Sequence, residues 1–379
     1  MKQISILIAC LIMSLAARGQ GVRMSLLTCA PGDATYSMFG HSAVRVQDPV
    51  RGMDMVYNYG TFDFETPNFV WKFMRGKLLY QLDVQSFRHF MREYTREDRM
   101  VYEEEIMLSE EDKAALEAFL ADNYRPEKRY YLYDFFFDNC SSRIRDALET
   151  VLGERLQYRF SGGYETMTYR QAIAPYTASR PWMAFGIDLL LGAPTDRRAD
   201  ERGQMFLPDF LSGRLGQAWV GGVPLLGPRI PIIEGKARIH PGKQPKPGWF
   251  LWVLTAVFFL VWRFSPKKRR WIEAGLWMLY GLAGCLVAFM WWGTDHQATQ
   301  ENWNIFWLNP LQLAAGIAVA AGSRSTWLKG FGWLQTGMVL IALAAWMWLP
   351  QALPLPALPL MLLLVFQSLR LAGIISKRR

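Results

Sequence analysis

Metal-ligand spacings and phosphate-binding glycine loops are missing from this sequence. Its 379 residues hold 4 cysteines and 4 histidines, and these are not grouped at the intervals a metal site needs. No glycine-rich loop of the phosphate-cradling kind is present. Acid is scarce at one end: residues 245–379 carry 12 Lys/Arg against 3 Asp/Glu. Residues 21–244 are near neutral, with 28 against 30, so most of the net charge of +9 sits in the C-terminal third. A basic excess beside apolar runs indicates membrane topology and argues against nucleic-acid binding.

Apolar sequence is abundant. Hydrophobic residues make up 51% of the chain, and most of the 16 Trp follow residue 247. Five stretches there are long enough to span a bilayer: about 248–264, 271–292, 305–322, 330–349 and 357–375. Their hydrophilic gaps alternate. "SPKKRR", "SRSTWLK" and the terminal "SKRR" are basic, whereas "TDHQATQENWN" and "PQALPLPALP" hold no Lys or Arg. Positive residues stay on the cytoplasmic side, so the part before residue 248 lies outside. The N-terminus agrees. Lys2, the short apolar core "ISILIACLIMSLAA" and Ala17-Arg18-Gly19 read as a signal peptide over 1–19, cleaved before Gln20. The lipobox-like "LIAC" ending at Cys10 is weaker, because the apolar core continues past it. The expected organisation is a signal peptide (1–19), an extracytoplasmic domain (20–238), a Pro/Gly-rich linker (239–247) and a five-span membrane domain (248–379). His296, Glu301, Asn302, Asn304 and Asn309 are expected at the outer interface of that membrane domain, as a surface that handles lipid or as a solvated loop.

The outer domain reads as mixed α and β. "HSAVRVQD" and "MDMVYNYG" form a hairpin around "PVRG", and "KLLYQLDV" is a third strand. "SEEDKAALEAFLADNY" opens with a helix-capping Ser-x-x-Asp. "CSSRIRDALETVLG" places Ile144, Ala147, Leu148, Val151 and Leu152 at helical spacing. Asp138 and Asn139 both suit an N-cap, so Cys140 falls in the first turn, where free N–H groups and the helix dipole favour a thiolate. A thiolate nucleophile needs a base. His41 begins a strand after the flexible "MFG", while His240 lies in the linker. A cysteine at a helix start with a histidine on a neighbouring strand is the papain-like arrangement. A hairpin turning near Pro49 and Val50 puts Asn58 or Tyr59 opposite His41. Asn58 is the preferred orienting residue, with Tyr57, Asp54 and Asp63 open. A structural alternative also stands: a Cys29–Cys140 disulfide in an oxidising compartment.

"FGHSAVRV", "YNYGTFDF", "FFFDNCSSRIRD", "FGIDLLLGAP" and "MFLPDFL" resemble the motifs of the DUF4105 family, with its Lnb-type lipoprotein N-acyltransferases of Bacteroides and relatives. The resemblance covers most of residues 24–225. The order His then Cys also resembles the circularly permuted NlpC/P60 branch of the papain-like thiol superfamily. The resemblance implies an α+β fold with a papain-like extracytoplasmic domain, followed by an all-α five-helix transmembrane bundle. It implies His41 as base and Cys140 as nucleophile. It further implies transfer of a phospholipid acyl chain to a diacylated lipoprotein at the periplasmic side of the inner membrane, with no cofactor and no nucleic acid. That branch often orients its base with a second histidine, which this chain lacks on the matching strand. The alternatives are a phospholipase, an NlpC/P60-type cell-wall peptidase and a non-enzymatic envelope assembly factor.

The charge alternation makes a direct prediction. A reporter active only in the periplasm should work when fused after residue 240 or 298, and fail after residue 268 or at the C-terminus. Activity at the C-terminus would overturn the five-span reading.

Overall fold

The computed structural model describes residues 21–160, 166–235 and 244–374. The expected signal peptide and residues 239–243 of the expected linker lie outside the described residues. The chain forms two compact units. The first comprises residues up to Phe73, Lys77–Met167 and Ala199–Ile239, and the second Met74–Gly76, Thr168–Arg198 and His240 onward.

The first unit is built on one seven-stranded sheet. Its strands are β1 (Arg23–Cys29), β2 (His41–Asp48), β3 (Met53–Thr61), β4 (Leu79–Ser86), β5 (Val101–Glu105), β6 (Tyr130–Leu132) and β7 (Ile230–Ile233). They lie in the order β7-β5-β1-β2-β3-β4-β6, and every pairing is antiparallel. The hairpin and β4 fall where alternation predicts them. β1 escapes that reading because nearly all of it is buried, and a buried strand need not alternate polar and apolar residues, whereas β5, next to the edge strand, is masked by its run of three glutamates.

Both faces of the sheet are covered. On one face Met24, Leu26, Val44, Val46, Tyr57 and Tyr59 pack against two helices, α3 (Glu110–Asn123) and α4 (Cys140–Leu152), through Leu116, Leu120, Ile144 and Leu148. On the other, Leu27, Cys29, Ala43 and Val56 meet Phe90 and Tyr94 of α2 (Phe87–Arg96). The two sets alternate along each strand, as the period of two requires. A six-residue helix, α1 (Phe69–Met74), precedes β4. Ser109 caps α3 as expected, accepting from the Asp112 N–H at 3.1 Å.

The second unit is helical. It holds α5 (Tyr169–Thr177) and α6 (Pro181–Leu190), and after residue 246 α8 (Pro247–Phe264), α9 (Arg269–Trp292), α10 (Leu311–Ala320), α11 (Thr326–Ala344) and α12 (Leu358–Leu371). One more helix, α7 (Pro208–Leu215), belongs to the first unit. Two helices, Pro247–Phe264 and Pro266–Trp292, are long and apolar enough to cross a membrane. The expected span at 305–322 is interrupted instead. A short turn at Trp303–Phe306 precedes a helix of 10 residues. Ten residues rise about 15 Å, half of a hydrocarbon core of about 30 Å. The interruption is enforced by "Asn-Pro" at 309–310, since proline disfavours helical backbone in the residue before it.

The asparagines expected at a wet outer interface are buried. Asn302 and Asn304 donate to the Leu189 carbonyl at the end of α6, at 2.9 and 3.1 Å. Asn304 also accepts from the Trp307 indole at 2.8 Å, and Asn309 donates to Gln335 at 2.7 Å. The amides of Asn302 and Asn304 are spent on holding the end of α6, and that of Asn309 on a side chain of α11. Asp188, an isolated charge in an apolar run, pairs with Arg170 at 3.0 Å within the same unit.

Ile144 is fully buried between α4 and the sheet. Ile144→Ala should cost roughly 2–5 kcal/mol and lower the unfolding temperature of the detergent-solubilised chain. Val50→Ala, at an exposed turn, should leave it unchanged.

Candidate active site

The loop before α4 explains how a cysteine comes to sit at a helix start. After β6 the chain closes a tight turn in which Asp134 and Asp138 exchange backbone hydrogen bonds at 3.1 and 2.9 Å. The Asp134 carboxylate accepts from the Phe136 and Phe137 N–H groups. Asn139 is the N-cap. Its Oδ1 accepts from the Ser141 and Ser142 N–H groups, each at 2.9 Å, and the Ser142 hydroxyl accepts from the Asn139 N–H at 2.8 Å. This cap takes up the second and third amides of the helix, leaving the Cys140 N–H outside it. The Asn139 amide nitrogen donates to the carbonyls of Phe135 and Phe206, at 2.8 and 2.7 Å, which anchors the helix start in place.

Two glycines let the strands come close. Gly40, just before His41, has φ of +80°, and a methyl group there would lie 2.7 Å from the Cys29 carbonyl oxygen. Gly60 has φ of +84°. A methyl group there would sit 3.3 Å from the Tyr133 ring and 3.6 Å from the Cys140 Cβ. Both positions combine a left-handed backbone with a close neighbour, a combination that favours glycine.

The structure brings together Cys140, His41 and Asn58. The His41 Nε2 lies 3.3 Å from the Asn58 Oδ1, and Asn58 is buried. The hairpin register differs from the expected one. Val44 pairs with Tyr57 and Arg45 with Val56, so continuing the ladder sets Asn58 opposite Ala43. Asn58 therefore meets His41 diagonally, two residues along on the same face. Its amide nitrogen donates to the Val56 carbonyl at 3.4 Å, which turns the amide oxygen toward the imidazole. With Nε2 donating to Asn58, Nδ1 is the ring nitrogen left to accept a thiol proton. Of the other candidates, Asp54 is held by Arg45 through two bonds of 2.8 Å and Tyr57 is buried in the core. His89, which sequence reasoning passed over, sits exposed on α2 at the other face of the sheet.

The electrostatics separate two buried thiols. Burial pushes the Cys140 thiol up. The charge and hydrogen bond of His41, the Ser42 backbone N–H and the Ser141 hydroxyl outweigh it, and the thiol falls below its ordinary range. Burial also dominates at Cys29, where Arg99 and Tyr94 compensate too little, and that thiol is pushed up to about 12. Both cysteines are free, so the disulfide alternative is overturned. They sit on opposite faces of the sheet, one in the cluster under α2 and one in the cluster under α4.

The sequence left the roles of Ser42 and Arg143 open, and the structure puts both in a shell around the site. Ser42 and Ser141 share a hydrogen bond of 3.0 Å that joins β2 to α4 beside the sulfur. Arg143, one turn into α4, pairs with Asp138 at 2.6 and 2.7 Å and lies 3.4 Å from the Tyr131 ring centre. Beyond Gly60 runs a chain of aromatic rings. Tyr133 stacks on Tyr80 at 4.3 Å, Tyr80 meets Phe62 at 5.1 Å, Phe62 meets Phe64 at 4.9 Å, and Phe64 meets Phe69 at 5.2 Å. The outer end is open: Phe64 is 65% exposed, Tyr36 64% and Trp71 52%. The signal for it was "TFDF" beside "FVWKF", aromatics too dense for an ordinary loop.

Two known family models match the chain. Residues 15–179, which contain His41, Asn58 and Cys140, match the model of the Lnb N-terminal periplasmic domain. Residues 243–379 match the model of the Lnb transmembrane domain. No curated protein and no solved structure matches. The two matches support the Lnb family: a lipoprotein-processing membrane protein with an N-terminal periplasmic domain and a C-terminal helical membrane domain.

The two thiols should differ in reactivity. Rapid alkylation should label Cys140 and spare Cys29, with a pH midpoint for Cys140 below that of an ordinary thiol. His41→Ala leaves burial unopposed by the imidazole, so the midpoint should move up. An unchanged midpoint in that variant would remove His41 from the role of thiolate partner.

Proposed function

We propose that this chain moves an acyl chain from a membrane phospholipid to the N-terminal amine of a diacylglyceryl-cysteine lipoprotein, through a thioester on Cys140. The observation that carries the reading is a buried thiol with a lowered pKa, set between a helix start and an imidazole held by Asn58. His41 accepts the thiol proton through Nδ1. The sulfur attacks the ester carbonyl, and the C–O bond breaks as His41 returns the proton to the departing lysophospholipid alkoxide. The lipoprotein amine then attacks the thioester. It gives a proton to His41, which passes it to the leaving thiolate, and an amide forms. The Cys140 N–H, left outside the Asn139 cap, is placed to stabilise the oxyanion in both halves. Asn58 keeps the ring in the productive tautomer and orientation.

The aromatic chain from Tyr133 to Phe64 supports an acyl substrate. It runs from the ring beside Gly60 to an exposed surface rich in Phe, Tyr and Trp, residues suited to a lipid interface. The same feature suits a cell-wall peptide less well, since tyrosine hydroxyls are the only side-chain polar groups these rings offer. A multi-pass inner-membrane location with five apolar stretches, the third of them interrupted before its helix, a permuted papain-like fold and the DUF4105 assignment complete the proposal.

The test supplies purified protein, phospholipid and a diacylated lipopeptide with a free α-amine. Mass spectrometry should show a triacylated peptide and a lysophospholipid. Cys140→Ala should abolish both products, His41→Ala should slow them by about 10²–10⁴-fold, and Asn58→Ala should cost less. Release of free fatty acid in place of triacylated peptide would make the protein a phospholipase. Full complementation of a deletion strain by Cys140→Ala would end the enzyme reading.

A further inference from the structure

The strands of the seven-stranded sheet carry six carboxylates: Asp48, Asp54, Asp83, Glu103, Glu104 and Glu105. Five of them have partners. Asp54 and Glu103 bind Arg45, Asp48 binds Arg51, Glu105 pairs with Arg23 at 3.5 Å, and Glu104 accepts from the Ser212 hydroxyl. Asp83, half-buried on β4, has no ion pair and no hydrogen-bond partner among the described residues. A half-buried charge without a partner costs stability. A sheet that supplies counter-groups for five carboxylates leaves the sixth for a cation from outside the chain.

The place of Asp83 restricts which cation fits. It sits directly opposite Asn58 in the β3–β4 ladder, so both side chains leave the same face of the sheet with their Cβ atoms about 5 Å apart. Asn58 in turn holds His41 of β2 at 3.3 Å. His41, Asn58 and Asp83 thus form a row across three neighbouring strands, and β4 lies two strand spacings, about 10 Å, from β2. An amine that attacks a Cys140 thioester must come within about 3.5 Å of the acyl carbon, so an ammonium held at Asp83 is not the nucleophile. The nitrogen of an ethanolamine phospholipid is about ten bonds from its ester carbonyl, a reach of about 12 Å at roughly 1.2 Å per bond. We propose that Asp83 binds the headgroup ammonium of an aminophospholipid acyl donor while the ester carbonyl of that lipid lies at Cys140. The identity of the lipid as donor rests on the acyl-transfer reading. A carboxylate suits a primary ammonium because the charge-assisted N–H bonds are strong, and it offers nothing to a headgroup whose only charge is its phosphate.

The test follows protection of Cys140 from alkylation, read by mass spectrometry of its peptide, in the full chain in detergent. The probes are short-chain diether phosphatidylethanolamine and diether phosphatidylglycerol. Neither can be cleaved, so the readout is occupancy of the site. In the wild type the ethanolamine lipid should half-protect at a concentration about fivefold to tenfold below that of the glycerol lipid. Asp83→Asn should bring the two concentrations together. Asp83→Glu, which keeps the charge, should retain the preference, and both variants should unfold at the wild-type temperature. Equal protection by the two lipids in the wild type, or a preference kept by Asp83→Asn, would overturn the proposal. So would a loss, in Asp83→Asn, of protection by a diacylated lipopeptide with a free α-amine while the lipid preference stays, which would assign the carboxylate to the acceptor. The two readings fail separately. An Asp83-dependent preference without triacylated peptide in the product assay keeps this site and removes acyl transfer, and triacylated peptide without that preference does the reverse.

Discussion

One side-chain amide, that of Asn139, holds the site together. Its oxygen accepts two helix amides and its nitrogen donates to two carbonyls, one in the preceding loop and one at Phe206. An asparagine amide has two donors and room for two acceptor bonds, and this one uses them all. The consequence is positional. Helix α4 starts at one place, its first turn faces β2, and the sulfur of the next residue falls beside His41 and the Ser42 N–H. Less than 3% of Asn139 is exposed, so a loss of any of these bonds would strand a buried polar group.

The contrast between Cys140 and Cys29 shows what that position achieves. Both are buried free thiols in one sheet domain, and burial alone would make both inert. Cys29 follows that rule. Cys140 departs from it because an imidazole, a backbone N–H and a hydroxyl converge on its sulfur. The shell that does this is drawn from three segments, β2, the end of β3 and the start of α4. The two glycines at 40 and 60 set how near those segments can come.

The helical unit follows a different economy. Its polar side chains at 302, 304, 309 and 351 are buried and turned on backbone carbonyls and on one another. In an apolar surrounding, a helix end without such partners is costly. The polar residues of this segment are thus structural joints between the end of α6 and the turns before α10.

Much of the site was legible in the sequence. Helical spacing after Cys140 and the Asp-Asn cap pair are local patterns, and local patterns survive without knowledge of the fold. His41, Asn58 and Cys140 could be named from them. The register that joins Asn58 to His41 could not be fixed to the residue, because the turn's length decides it and a shift of one residue moves every side chain to the other face. The interrupted third apolar stretch and the burial of its asparagines were equally hidden, since hydropathy measures composition and is blind to which carbonyl each amide will find. The Ser42–Ser141 contact and the ring chain from Tyr133 to Phe64 each join segments far apart in the chain. The sequence by itself determined which chemical groups this protein has and which local elements carry them. Only the tertiary structure decided which of them meet, because hydrogen bonding and charge act over a few ångströms and the distances are set by how strands and helices pack.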